Sequence, residues 1–303
     1  MAGKKERQRK LARERYARQQ ARRAERTHRW RVVSIIAGAC CAVVLLGGAA
    51  YLTLGNGGGN PSSAATANPT ATPTALPTPT PTPTPSLAAE PATHCTYTTS
   101  GVAPAAKKVS VPPTAPNYKA AYTAAINTNL GTIDINLLNS KATCTVNSFV
   151  HLASAGYFNA SQCHRVTNTS GLYVLQCGDP YAKASTKLSC SQAANSPGTG
   201  GPGYEFASEN LPTGASSAGT VTYKAGTVAM ANSGTANSNG SQFFLVYKNS
   251  TLGPDYTPFG TITSGLDILQ KVANAGTSCT YSGPGDGAPK EKVVINSVTI
   301  KQT

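Results

Sequence analysis

Short apolar–polar alternations dominate the second half of the chain. Lys119–Asn127, Gly131–Leu138, Tyr173–Gln176, Gly226–Ala231, Gln242–Tyr247 and Lys292–Lys301 read as strands. Gly, Pro, Asn and Ser punctuate the gaps between them. Two segments follow a helical period instead. In Thr143–Ser154, Val146, Phe149, Val150 and Ala153 share one side, with Thr143 as a candidate N-cap and Gly156 as a stop. In Ser264–Ala275, Leu266, Leu269, Val272 and Ala273 repeat likewise. There Ser264 is placed to cap, Asp267 to lie in the first turn and Gly276 to end the run. Many strands and two amphipathic helices predict a sheet closed into a barrel or sandwich, with a helix over each end.

The first part of the chain has another pattern. Val32–Leu54 is an uncharged run of 23 residues. As a helix rising 1.5 Å per residue it reaches the ~30 Å of a bilayer core. Charge then decides its orientation. Residues 1–31 hold thirteen Lys/Arg and three Glu, which is +10 of the chain's +14. This flank predicts a cytoplasmic basic tail (1–31), a transmembrane helix (32–54) and everything later on the outer side of the cell membrane. A cleaved signal peptide is the competing reading, and the long charged region and long apolar run argue against it. Residues 55–117 read as a linker and lead-in, Gly-rich and then built of Pro-Thr repeats that favour extended polyproline II. Residues 118–303 remain as one domain. The rest of the chain after residue 31 carries only +4, so the high charge is no sign of a nucleic-acid partner for the folded part.

Six cysteines follow the linker: Cys95, Cys144, Cys163, Cys177, Cys190 and Cys279. An even number beyond a membrane anchor predicts disulfides, with fifteen pairings open. No C-x-x-C occurs, and the four His are scattered, so the sequence offers no zinc-ligand spacing. There is no G-x-S-x-G elbow, and Gly198-Thr-Gly-Gly-Pro-Gly203 lacks the Lys-Ser/Thr of a phosphate loop. No cofactor or metal is expected. One stretch stands out: Met230-Ala-Asn-Ser-Gly-Thr-Ala-Asn-Ser-Asn-Gly-Ser-Gln-Phe-Phe-Leu-Val246. Strand alternation puts Gln242, Phe244 and Val246 on one face. That face is either an apolar pocket with an amide rim or a polar strand start with Phe244 in the core, and periodicity leaves both open.

Met230-Ala-Asn…Asn239-Gly-Ser-Gln-Phe-Phe244 closely resembles the signature of cyclophilins, the cyclosporin-binding peptidyl-prolyl cis-trans isomerases. Further blocks agree in order: Thr145-Val-Asn-Ser-Phe-Val150, His164-Arg-Val166, Leu175-Gln-Cys-Gly-Asp179, Gly198–Phe206 and Phe259-Gly260. The resemblance runs from about Tyr118 to Ile300. It implies an eight-stranded antiparallel β-barrel capped by two α-helices. It also implies a catalytic groove of Arg165, Gln176, Gln242 and Phe244, with substrate-binding Tyr173, Val174, Ala231, Asn232, Leu252 and Tyr256. His164 is expected to be structural. Thr251 stands where the family often has a rim Trp, and Tyr256 where many members have His; both departures bear on cyclosporin binding more than on catalysis. A pairing of Cys163 with Cys177 would brace the groove, and Cys95 would tie the end of the linker to the domain. The implied activity is peptidyl-prolyl isomerisation by a monomer. The implied partners are proline-containing segments of exported proteins, outside a membrane reached through one helix.

Overall fold

The structure is a computed structural model that describes residues 90–191 and 193–303. The basic tail, the helix expected at 32–54 and the linker up to residue 89 lie outside the described residues. Among the described residues, no helix is long and apolar enough to cross a membrane.

Among the described residues, twelve strands and two helices follow one another as β1 (Tyr122–Thr128), β2 (Gly131–Leu137), α1 (Thr143–Ser154), β3 (Ser161–Gln162), β4 (Arg165–Thr169), β5 (Leu172–Cys177), β6 (Val221–Tyr223), β7 (Thr227–Met230), β8 (Phe243–Val246), β9 (Ser250–Leu252), β10 (Pro258–Ser264), α2 (Leu266–Ala275), β11 (Asp286–Gly287) and β12 (Val294–Gln302). Ten of the strands form one curled antiparallel sheet, in the order β11-β4-β5-β8-β7-β10-β2-β1-β12-β3; β6 and β9 form a separate ribbon. The count exceeds the expected eight because the two-residue strands β3 and β11 add at the sheet's ends. β3 and β4 are separated only by Cys163 and His164. Their backbones switch sides at this point: the Cys163 N–H donates to the Val293 carbonyl and the His164 N–H to the Gln176 carbonyl.

The two-residue period is visible in burial. Ala124, Ile126, Ile133, Ile135 and Leu137 alternate inward along β1 and β2. β1 starts three residues later than alternation suggested, because Asn117–Ala120 forms a turn held by the Asn139 amide, which donates to both of those carbonyls. β10 escaped the sequence pattern since Pro258 and Gly260 interrupt it; its register shifts between them. Phe149 of α1 meets Phe158, Phe243 and Phe259 at centroid distances of 5.2–5.5 Å, which fastens the helix over one side of the core. Leu269, Val272 and Ala273 bury the inner face of α2.

The helix caps differ from expectation. Ala142 and Gly265 occupy the N-cap positions, and neither bonds through a side chain. The Thr143 hydroxyl donates back to the Asn139 carbonyl. A distant carboxylate does the capping of α1: Glu209 accepts the Cys144 N–H (3.0 Å), the Thr145 N–H (2.7 Å) and the Thr145 hydroxyl (2.7 Å). An anion at a helix N-terminus satisfies orphan donors and complements the dipole. Glu209→Ala is therefore expected to lower stability by about 1–2 kcal/mol, read from the denaturant midpoint. An unchanged midpoint would refute the cap.

Three disulfides close the domain: Cys95–Cys144, Cys163–Cys177 and Cys190–Cys279. The first belongs to a lead-in that is packed rather than free. Thr98 pairs with Glu205 through two backbone bonds of 2.8 and 2.9 Å, and the Tyr97 hydroxyl donates to the Cys144 carbonyl. Residues 90–117 thus rest on the sheet domain, because Cys95 is buried there and Tyr97 is half-buried against the core rather than solvated as in a linker.

Candidate active site

Cross-strand register sets the site. Arg165 of β4 lies opposite Gln176 of β5, Gln176 opposite Phe244 of β8, and Phe244 opposite Ala229 of β7. Directly opposed residues in an antiparallel pair share a face, about 4.5–5.5 Å apart at Cβ. A charged fork, an amide and an aromatic ring therefore form one transverse row. Phe244 does not join the main core, which takes Phe243 and Leu245 from the other face of β8. It belongs to a second apolar cluster with Val174, Val221, Tyr223, Ala229 and Val246, fringed by Leu172, Ala231, Leu252 and Tyr256. Tyr256 meets Phe244 edge-on at 5.4 Å and 84°, with Tyr223 at 6.3 Å.

The polar half is a chain of hydrogen bonds. Arg165 Nε and Nη2 donate to the two oxygens of Asp286 at 2.7 and 2.9 Å. Nη1 reaches Gln176 Oε1 at 3.3 Å. Gln176 Nε2 donates to Gln242 Oε1 at 2.9 Å, and Gln242 Nε2 donates to the carbonyls of Gly200 (2.9 Å) and Gly198 (3.1 Å). Those glycines are held from behind by the buried Asp179, whose carboxylate accepts the Gly198, Gly200 and Tyr181 N–H groups. Burial raises the Asp179 pKa, while these backbone donors work the other way. Burial also lowers the Arg165 pKa, but the hydrogen bond and charge of Asp286 outweigh it, so the guanidinium lies above its ordinary range. Arginine has five N–H donors. Three are engaged by Asp286 and Gln176, which leaves two on a side chain that is 31% exposed. A two-donor cation beside an apolar floor suits a ligand with a carbonyl next to a small ring.

Residues 123–300 match the family model for cyclophilin type peptidyl-prolyl cis-trans isomerases. The chain belongs to this family. Its relatives include a "Probable peptidyl-prolyl cis-trans isomerase B" of Mycobacterium tuberculosis strain H37Rv, 44% identical over 205 residues that cover 65% of this chain and 60% of the relative. The Mycobacterium leprae protein of the same name is 44% identical over 216 residues, covering 68% and 66%. A Streptomyces anulatus "Peptidyl-prolyl cis-trans isomerase B" is 34% identical over 194 residues, covering 59% and 95%. The match thus spans under two thirds of the length of the mycobacterial relatives. Among solved structures, a Cryptosporidium parvum cyclophilin type isomerase aligns with a TM-score of 0.44 and 23% identity, covering 60% of this chain and 99% of that one.

In this cyclophilin the structure brings together Arg165, Gln176, Gln242 and Phe244, with Val174, Ala231, Leu252 and Tyr256 around the ring. Three expectations change. Tyr173 is one residue out of phase with Val174 and Gln176, so it packs with the main core and carries Lys248 4.6 Å over its ring. Gln242 has both amide hydrogens committed to the glycine loop, so it acts as a bracket for Gln176. The side chain of Asn232 is already engaged, donating to the Asp255 carbonyl in the connection between β9 and β10 and accepting the Gly234 N–H of its own loop. His164 is fully buried; desolvation first, and then the neighbouring Arg165 charge, lower its pKa to about 3, which keeps the imidazole neutral. Sequence reasoning missed Asp286 and Tyr223. Asp286 is isolated in Gly283-Pro-Gly-Asp-Gly-Ala-Pro289, where its only signal was the rarity of acids in this chain. The Gly198–Gly203 turn, which offers no phosphate loop, is part of the site's scaffold.

Proposed function

We propose that this cyclophilin isomerises X–Pro bonds in exported proteins, anchored to the cell membrane by residues 32–54 with its domain outside the cytoplasm. The observation that carries the catalytic reading is the row of Arg165, Gln176 and Phe244 across adjacent strands. The location is supported by the sequence of the first 54 residues and by three disulfides, which persist in oxidising compartments. The curated relatives carry the name of the same activity.

Rotation about the X–Pro bond must overcome ~18–20 kcal/mol of amide resonance, and uncatalysed it takes ~10–100 s. Only interactions stronger in the twisted state than in either planar state speed it. The proline ring rests on Phe244 between Tyr256 and Leu252, which fixes one end of the bond. As resonance is lost, the imide nitrogen gains a lone pair. A free N–H of Arg165 donates to that region and binds the twisted state best. Gln176, braced by Gln242, holds its remaining amide hydrogen toward a flanking carbonyl. A thousandfold acceleration needs ~4 kcal/mol, within the range of one charge-assisted donor plus orientation.

A protease-coupled isomerisation assay of the full-length chain with an Ala-Pro test peptide checks the activity. Turnover that saturates with peptide is expected; peptide binding without turnover would leave a groove-based binding module instead. Protease added to intact cells is expected to cut the linker, release residues 90–303 and spare the tail. Protection of the domain would refute the location.

A further inference from the structure

We propose that Asp286 is the positioning residue for Arg165: it clamps two corners of the guanidinium and so aims the two remaining N–H donors at the proline pocket. This rests on the isomerase reading above and deepens it.

The clamp is built at several levels. Asp286 is 5% exposed, and its carboxylate meets Nε and Nη2 in a two-point fork. Such a pair fixes the plane of the guanidinium as well as its distance, which a single contact cannot do. The carboxylate is itself registered to the strand it serves. β11 pairs with β4, Asp286 opposite Thr167 and Gly287 opposite Val166, and the Asn168 N–H donates to the Gly285 carbonyl at 2.6 Å. The residues on either side of Asp286 must lack a side chain. A Cβ at Gly285, where φ is +80°, would lie 2.6 Å from the Asn168 carbonyl oxygen, and one at Gly287 would overlap the Cys279 carbonyl. The excursion that carries Asp286 is closed on itself by the Ser278 N–H to Ala288 carbonyl and Tyr281 N–H to Asp286 carbonyl bonds, and Cys190–Cys279 ties it to the rest of the domain.

A buried carboxylate costs desolvation, and simple stability is a weak reason to place one here. Its geometric consequence is specific. With Nε and one edge of Nη2 held, and Nη1 against Gln176, the guanidinium retains one orientation relative to Phe244. Without Asp286, the arginine keeps its charge but regains rotation about its terminal torsions, so the donor no longer waits where the imide nitrogen will develop its lone pair. The loss belongs to the reacting state and appears in kcat rather than in KM.

The test uses the full-length chain with kcat and KM resolved separately. Asp286→Ala is expected to lower kcat about tenfold or more while KM changes less than about threefold. On an Arg165→Lys background, where the fork is lost, the same substitution is expected to change kcat less than about twofold, because coupled sites are not additive. The Arg165 Nε–Hε NMR resonance, protected in the parent chain, should exchange with solvent in Asp286→Ala. Asp286→Asn keeps one acceptor and should fall between the two; it carries the comparison if Asp286→Ala does not fold. An Asp286→Ala chain with parental kcat, or one whose loss is the same with Lys at 165, overturns the proposal alone. A parental chain without turnover overturns the isomerase reading and the proposal with it.

Discussion

Arg165→Ala is expected to lower kcat/KM for a proline peptide by about 10²–10³-fold, the cost of losing one preorganised donor to a developing charge. Val166 beside it is buried in the core, whereas Arg165 faces the groove, so the strand register survives truncation. The stability change has a different origin. Removing the guanidinium leaves Asp286 buried without its strongest partner, which costs about 1–3 kcal/mol. Arg165→Lys separates charge from geometry. It restores a cation but not the planar fork, and it is expected to recover only a minor part of the turnover. The checks are steady-state kinetics with denaturant midpoints. Near-parental turnover by Arg165→Ala would remove the arginine from the mechanism.

Phe244→Ala is expected to cost about 3–5 kcal/mol of stability, as for other buried Phe→Ala changes, together with most of the activity. The ring is 5% exposed and underlies the second apolar cluster. Its edge-to-face contact with Tyr256, worth about 0.5–1.5 kcal/mol beyond burial, is lost too. Stability and activity fall together here, so Phe244→Leu is the more discriminating variant. Leucine refills most of the volume and should fold, but it offers no flat surface to a proline ring. A rise in KM with a small stability loss is expected. Parental KM in Phe244→Leu would show that the floor need only be apolar, and parental KM in the folded fraction of Phe244→Ala would place Phe244 outside the pocket.

Elements with a regular period were legible along the chain. β2, β5, β7, β8 and α1 were found within a residue or so of their observed limits: β2 and α1 bury one face and write its period into the sequence, while β5, β7 and β8 are short apolar runs bounded by Gly, Asn and Ser. β10 was not, since Pro258 and Gly260 hide its alternation. The site divided in the same way. Gln242, Phe244 and Val246 share a face as local alternation requires, and ordered motifs located Arg165 and Gln176. Tyr173 was carried over as a groove residue although the same alternation puts it opposite Val174; the period, applied there, gives the observed placement.

The linear pattern by itself determined the strand-rich class, two amphipathic helices, the apolar stretch at 32–54 and the separate basic tail, because these depend on neighbours a few residues apart. Only the tertiary structure decided what fixes the catalytic arginine and what caps α1. Asp286 lies 121 residues from Arg165, and Glu209 lies 64 residues from Thr145. Charge pairing has no period and acts through space, so a lone acid between glycines reads as a turn until β11 is laid against β4. The disulfide map belongs to the same class. Six cysteines allow fifteen pairings, and the fold selects the one that sets Cys163 and Cys177 with their Cα atoms 4.0 Å apart beside the groove.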